Sequence, residues 1–169
     1  NVNGLSDIRA NLVVVPVGVD GSVDLRLTKT AHVLVDVVGS FTDGTAPSNG
    51  EGMYVTINPT RVVDTRVSLG FNRLAADGIA SVNSNLVPDN AQAVSHNLVL
   101  TRTSGKGFLT AFPAGSSVPD VSNGNATGAS QTRSAMAFTR LGSGGASFYA
   151  SIATDVIVDI TGYFTPLSA

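Results

Sequence analysis

Two carboxylates stand inside apolar, β-branched stretches of this sequence. Asp36 lies in the run VLVDVVGSFT (residues 33–42), and Asp159 lies in the matching run VIVDITGYFT (residues 156–165). A carboxylate within such a strand is destabilising unless it is solvated at a sheet edge or paired with a cation. Acid–base catalysis by the pair would need the two carboxylates to lie roughly 5–9.5 Å apart. Nothing in the repetition of the motif requires them to lie that close. A solvated edge and a structural ion pair are the alternatives that stay open.

A cluster of charges offers the cation for such a pair. Arg61, Asp64 and Arg66 lie in the string PTRVVDTR (residues 59–66). Because a planar guanidinium suits bidentate pairing with a carboxylate, we predict structural ion pairs among these residues and Asp159 rather than a ligand site. In a regular strand, Arg61 would share one face with Val63, while Asp64 and Arg66 would lie on the other.

Other reactive chemistry has little support in the sequence. The chain has two histidines and no cysteine, and His96 falls on the apolar phase of its strand, which predicts a core residue. The chain lacks the Gly-x-Ser-x-Gly elbow of many hydrolases and the Lys-Ser/Thr of a phosphate loop. We therefore predict a non-enzyme without a cofactor. The Asp-Gly pairs at Asp20, Asp43 and Asp77 leave calcium as the alternative.

Aromatic residues suggest a second kind of site. Tyr54, Tyr149 and Tyr163 are the three tyrosines of a chain that has no tryptophan. Tyrosine rings stack on sugars, so these residues are candidates for a carbohydrate-binding surface. That interpretation requires the three rings to lie in one groove.

The composition narrows the class of protein. Of the 169 residues, 43% are hydrophobic and 13% are charged, and the net charge is −2. This balance gives no electrostatic case for nucleic acid or an anionic membrane, and no apolar run reaches the roughly 20 residues that span a bilayer. Low charge with much Thr, Ser, Asn and Gly is typical of secreted and cell-surface β-proteins. Because the sequence starts with Asn, we expect either a removed leader or a fragment.

The elements that hold these residues are predicted to be strands. No window shows a capped 3.6-residue period, and strand-like runs recur at the 8–12-residue spacing of sandwiches and barrels. We predict an all-β, antiparallel β-sandwich, with a prism or barrel-like fold as the alternative. Hairpin turns are predicted at residues 105–107 and 142–145, and a long polar loop at residues 114–130. The strands predicted nearest the N-terminus span residues 11–17, 22–27 and 33–42.

The two apolar runs belong to a longer repeat. Residues 1–43 align with residues 123–166, which divides the chain into a partial repeat (1–43), a linker (44–52) and a complete unit (53–166). The partial repeat is predicted to be a small β-meander. Three strands alone are marginal, so we expect the meander to pack on its own unit, to pair with a neighbouring chain, or to belong to a unit whose first part lies upstream.

Several of these motifs resemble those of a known family. The opening PTRVVDTR (residues 59–66) is similar to the PTRLLDTR of a β-repeat module found in secreted proteins, notably of actinobacterial type. FLTAFPAG (108–115) resembles its GYLTVYPxG, and VDVVGSF (35–41) its closing ADVVGYF. Ser134-Ala135-Met136 departs from the family's Asn-Leu-Val, and Ser40 from its Tyr. The molecular function of the family is not established, and the resemblance implies an extracellular accessory, adhesive or structural role.

Two functions follow as predictions. The first is a non-catalytic extracellular structural or adhesive module. It would assemble head-to-tail with copies of itself through the edge strands of residues 1–43, as a ring or a filament. The alternative is a carbohydrate-binding accessory module of a secreted or cell-surface protein, with a cell-wall or extracellular glycan as partner.

Overall fold

The computed structural model describes residues 7–41, 52–83, 85, 87–143 and 145–166. Within these residues the regular structure is eight strands and one 3-10 turn (Thr65–Val67), with no α-helix, so the all-β prediction is confirmed. The strands are β1 (Tyr54–Asp64), β2 (Gly78–Val82), β3 (Ala93–Thr101), β4 (Lys106–Pro113), β5 (Gly124–Thr127), β6 (Arg133–Arg140), β7 (Ala146–Ala150) and β8 (Asp155–Phe164).

The strands form two antiparallel sheets that face each other. Sheet A has the order β1-β8-β3-β6, and sheet B has the order β2-β7-β4-β5. The sheets do not close into a barrel, which is the arrangement of a β-sandwich. β8, which carries the second apolar run, lies in the middle of sheet A between β1 and β3.

The glycine-rich turns connect the two sheets instead of closing hairpins. The predicted hairpins at residues 105–107 and 142–145 would pair β3 with β4 and β6 with β7. Both predictions were wrong, because the two strands of each pair lie in different sheets. Each flanking strand has one apolar face, and an arch between sheets lets these faces bury one another across the sandwich.

The main cluster of buried side chains between the sheets is aliphatic except for Phe148. Phe148 of β7 is almost fully buried, and the side chains around it come from both sheets. Burying a side chain of this size stabilises the fold by about 1.5–3 kcal/mol. The other buried residues of this core cluster are Val63, Leu74, Leu98, Leu100, Leu109, Ala126, Ala146, Ala150, Val156 and Val158.

One strand lies within the predicted polar loop at residues 114–130. β5 (Gly124–Thr127) pairs with β4 at the edge of sheet B. A Cβ added at Gly124 would lie 2.7 Å from Leu100 Cδ2, so glycine lets this short strand approach the core. Four residues with one buried apolar side chain, Ala126, give no alternation that would identify a strand.

Residues 7–41 form no strand in the structure. The meander predicted at residues 11–17, 22–27 and 33–42 is therefore not formed among the described residues of this segment. The regular feature there is a turn, in which Gly18 N–H donates to Ser22 O at 2.8 Å. A three-stranded sheet that no second layer covers has too little buried surface to be stable. The linker prediction (44–52) falls almost wholly outside the described residues.

Candidate functional site

An ion pair joins the first and last strands of the sandwich. Arg61 of β1 lies directly opposite Asp159 of β8. Arg61 Nε donates to Asp159 Oδ1 at 2.7 Å, and Nη2 donates to Oδ2 at 3.1 Å. The bond to Asp159 raises the pKa of the Arg61 guanidinium. Both side chains are partly exposed, so the pair fixes the register of β1 against β8 more than it adds stability.

A bulge brings Asp64 into the same cluster. The pairing of β1 with β8 shifts register between Arg61 and Val63, so the regular alternation that separated Arg61 from Asp64 in the sequence does not hold. Arg61 Nη1 donates to Asp64 Oδ2 at 3.3 Å, and Arg66 donates through Nε at 2.8 Å and Nη2 at 2.7 Å. The Arg66 bonds lower the pKa of Asp64 to about 2, and the same contact raises the pKa of Arg66.

A second carboxylate site, missed in the sequence, lies at the start of β8. Asp155 is 3% exposed. Its Oδ1 accepts from Thr65 Oγ1 at 2.7 Å, and its Oδ2 accepts from Arg73 Nη1 at 2.6 Å. Thr65 Oγ1 also accepts from the N–H of Val156 at 3.0 Å, which ties the 3-10 turn to β8. Arg73 lies in an irregular loop, where no periodicity could have marked it as a partner.

The glycine of the closing motif has a specific neighbour. The ring of Tyr54 lies against Gly162, where an added Cβ would be 2.5 Å from Tyr54 Oη. The Tyr54 hydroxyl is hydrogen-bonded to Ser95 Oγ at 2.7 Å, and Ser95 Oγ to Thr161 Oγ1 at 2.8 Å. Gly162 therefore makes room for a ring that joins β1, β8 and β3.

The three tyrosines do not share one surface. Tyr54 and Tyr163 lie on adjacent strands of sheet A, whereas Tyr149 lies in sheet B. The Tyr149 hydroxyl donates to Asp77 Oδ1 at 2.7 Å, and this bond raises the pKa of Tyr149. The structure thus does not bring together the aromatic groove that a sugar-stacking surface requires.

His96 is a core residue, as its position in the apolar phase predicted. It is 1% exposed, with Nε2 2.8 Å from Thr139 Oγ1 and no hydrogen-bond partner at Nδ1. Burial lowers its pKa to about 4. A cavity of about 20 Å³ lies beside the ring. That volume holds about one water molecule, whereas small-molecule sites need about 300 Å³ or more.

Metal ligands do not converge in the described part of the chain, where no group of three His, Cys, Asp or Glu side chains could hold an ion. The calcium alternative rested on Asp20, Asp43 and Asp77. Asp20 accepts from Ser22, Asp77 accepts from Tyr149, and Asp43 lies outside the described residues. In the same described ranges, no helix has the length and apolarity to cross a membrane.

Asp36 lies apart from the charge cluster. It is exposed, and among the described residues it has no hydrogen bond or ion pair. Gly39 takes the motif position of Gly162, yet a Cβ added there would meet nothing within 4 Å. The nearby Phe41 ring lies 6.0 Å from the ring of Phe164 at the end of β8. The structure therefore brings Arg61, Asp64, Arg66 and Asp159 together and leaves Asp36 out.

No protein-family model matches the chain, and no curated protein matches its sequence. The resemblance to the secreted β-repeat module therefore stays a prediction that rests on the motifs quoted for it.

Proposed function

We propose that this protein is a non-catalytic structural β-module of the cell exterior that associates with copies of itself through residues 11–41. The observation that carries the proposal is the exposure of a strand-patterned segment. Val13, Val15, Val23, Leu25 and Val35 are 47–68% exposed in a single copy of the chain. An apolar surface of this extent on a soluble protein marks an interaction site.

The pattern of the segment supports strand pairing as the mode of association. Between residues 22 and 27, Val23, Leu25 and Leu27 alternate with polar residues. An extended segment of this kind gains main-chain hydrogen bonds and buries its apolar face when it adds to an existing sheet. A second copy provides the same segment and the same sheets, so association can continue from copy to copy.

Sheet A has one edge suited to this addition. β6 pairs with β3 from Arg133 to Arg140 without a register shift, and its other edge has no strand partner among the described residues. β1, at the opposite end of the sheet, has register shifts and contains Pro59, which lacks an N–H. Because bulges and proline protect an edge from addition, we assign intermolecular pairing to β6.

Static light scattering of the full chain over a wide concentration range tests the proposal. We expect the mass to rise with concentration, and electron micrographs to show rings or filaments. Leu25→Lys, in the segment, and Met136→Lys, on β6, should each lower the mass. Thr28→Lys adds the same charge in a turn and serves as the control. A monodisperse monomer throughout would overturn the proposal.

A further inference from the structure

We propose that residues 33–41 are a reserve closing strand, able to take the place that β8 fills between β1 and β3 of the same chain. We call that place the β8 slot. The inference goes beyond the proposed self-association, in which the segment pairs with β6 of another copy, because it gives residues 33–41 a second partner surface within their own chain. The exchange takes place within one copy of the chain. Thermal unfolding of variants tests it, whereas the mass of the wild-type protein tests self-association.

The inward positions of the two segments match. Val156, Val158 and Ile160 point into the sandwich and are 0–3% exposed. The repeat aligns them with Val33, Val35 and Val37, of which Val35 is 66% and Val37 87% exposed. A valine in place of Ile160 removes one methylene, a change that cores usually tolerate at about 0.5–1.5 kcal/mol. The face that β8 buries is therefore present on residues 33–41.

The outer face carries the two features that β1 recognises in β8. Asp36 aligns with Asp159, which binds Arg61, and Gly39 aligns with Gly162, against which the Tyr54 ring lies. Counting only the described residues, the carboxylate of the free segment has no cation and nothing lies within 4 Å of a Cβ added at its glycine. In the β8 slot, Arg61 would provide the cation for Asp36, and the Tyr54 ring would fill the space beside Gly39.

The path of the chain allows the exchange within one copy. β8 runs antiparallel to β1, with Phe164 opposite Tyr54. In the same register Phe41 would lie opposite Tyr54, so residues 42–53 would serve as the connection of a hairpin. The Phe41 ring already lies 6.0 Å from the Phe164 ring. The short tether gives the segment a high effective concentration at the slot.

Three differences explain why β8 holds the slot. His32 aligns with Asp155, so the reserve strand would place an imidazole where a carboxylate binds Arg73. Val38 replaces Thr161 and loses the hydroxyl bond to Ser95. In addition, Ser40 replaces Tyr163, which packs on the core. The reserve strand is thus the weaker occupant, and it enters when β8 is disabled.

Substitutions at the matched valines test the exchange. Val158→Asp places a carboxylate in the core and disables β8. We expect this variant to keep a cooperative thermal transition at a lower midpoint, because residues 33–41 close the sandwich. Val35→Asp/Val158→Asp should lose the transition, while Val35→Asp alone should melt like the wild type. Identical behaviour of Val158→Asp and the double variant, folded or unfolded, would overturn the reserve strand.

Disulfide trapping gives a second measurement in a chain that has no native cysteine. In the Val158→Asp background, Asp36→Cys with Arg61→Cys places two thiols at directly opposed positions, which in antiparallel pairs are about 4.5–5.5 Å apart between Cα atoms. We expect a disulfide within one copy, and none in the control pair Asp24→Cys with Arg61→Cys. Equal yields from both pairs would contradict the register, whereas the mass measured for the wild type would still decide self-association.

Discussion

β8 and residues 33–41 carry matching β-branched side chains at the inward positions, one carboxylate and one glycine, in surroundings that differ completely. β8 lies between two strands, and its carboxylate, glycine and inward side chains each contact a defined partner. Within the part of the chain that the structure describes, no strand lies beside residues 33–41, and the equivalent groups are exposed. The comparison teaches that the residues of a strand motif determine which neighbouring strands it fits. Whether the motif forms a strand depends on those neighbouring strands being present.

The largest expected effect comes from His96, which lies on β3 beside β8, whereas His32 directly precedes residues 33–41 in the exposed segment. His96 must be neutral in the fold, since its pKa falls to about 4 from the ordinary 6.5. As the pH falls from 6.5 to 4, the unfolded chain takes up a proton that the folded chain does not. Stability should therefore be full above pH 6.5 and decline by about 3 kcal/mol toward pH 4.

Denaturant titrations across this pH range measure the decline. His96→Leu should lower stability at pH 7, because the Thr139 hydroxyl loses its partner, but it should flatten the slope between pH 6.5 and 4. His32→Leu, at an exposed position, is the control for replacing an imidazole by leucine. A slope that persists in His96→Leu would refute the assignment.

Asp155 should show the next largest effect. Asp155→Ala leaves Arg73 Nη1 and the Thr65 hydroxyl without their acceptor, at a cost of about 2 kcal/mol after allowing for the partial exposure of Arg73. His32→Ala, at the matching position, should change the free energy of unfolding by less than about 0.5 kcal/mol. Chemical unfolding measures the free energy of unfolding of both variants. Equal losses of stability would show that the contacts of Asp155 do not account for its effect.

The two glycines should respond differently to the same side chain. Gly162→Val pushes against the Tyr54 ring and should destabilise the sandwich by about 1–2 kcal/mol. Gly39→Val meets nothing within 4 Å, so its thermal midpoint should match the wild type. Tyr54→Ala combined with Gly162→Val removes the clash. Failure of this double variant to recover part of the loss would show that the ring is not the reason for the glycine.

The smallest contrast concerns the motif carboxylates. Asp159→Ala should cost about 0.5–1 kcal/mol, because its pair with Arg61 is partly solvated. Asp36→Ala should have no measurable effect on a single copy. A double-mutant cycle with Arg61→Ala isolates the pair, and a coupling energy near zero would assign the role of Asp159 to something other than Arg61.

Much of the sandwich was predictable because its central strands are long and regular. The apolar phase that predicted the burial of His96 is the inward face of β3, and the apolar run at 156–165 corresponds to β8. The pairing of strands was less accessible, since a turn sequence does not distinguish a hairpin from an arch. β5 was missed because residues 124–127 have one apolar side chain to mark them.

The candidate site was predictable where its partners lie in motifs. The pairing of an arginine with Asp159 followed from the desolvation of a carboxylate in an apolar strand. The bulge at Val62 could not be predicted from the sequence, because an inserted residue leaves no trace in the alternation until the pairing strand is known. Asp155 and Arg73 were missed for a similar reason. Their contact joins a strand to an irregular loop, 82 residues apart in the chain.

The pairing of Tyr54 with Phe164 places the first and last strands of the unit side by side at one corner of the sandwich. The backbone therefore enters and leaves the unit at nearly the same point. A pulling force applied at the start of β1 and the end of β8 would separate the two strands in the unzipping geometry. Their hydrogen bonds would break one after another instead of bearing the force together.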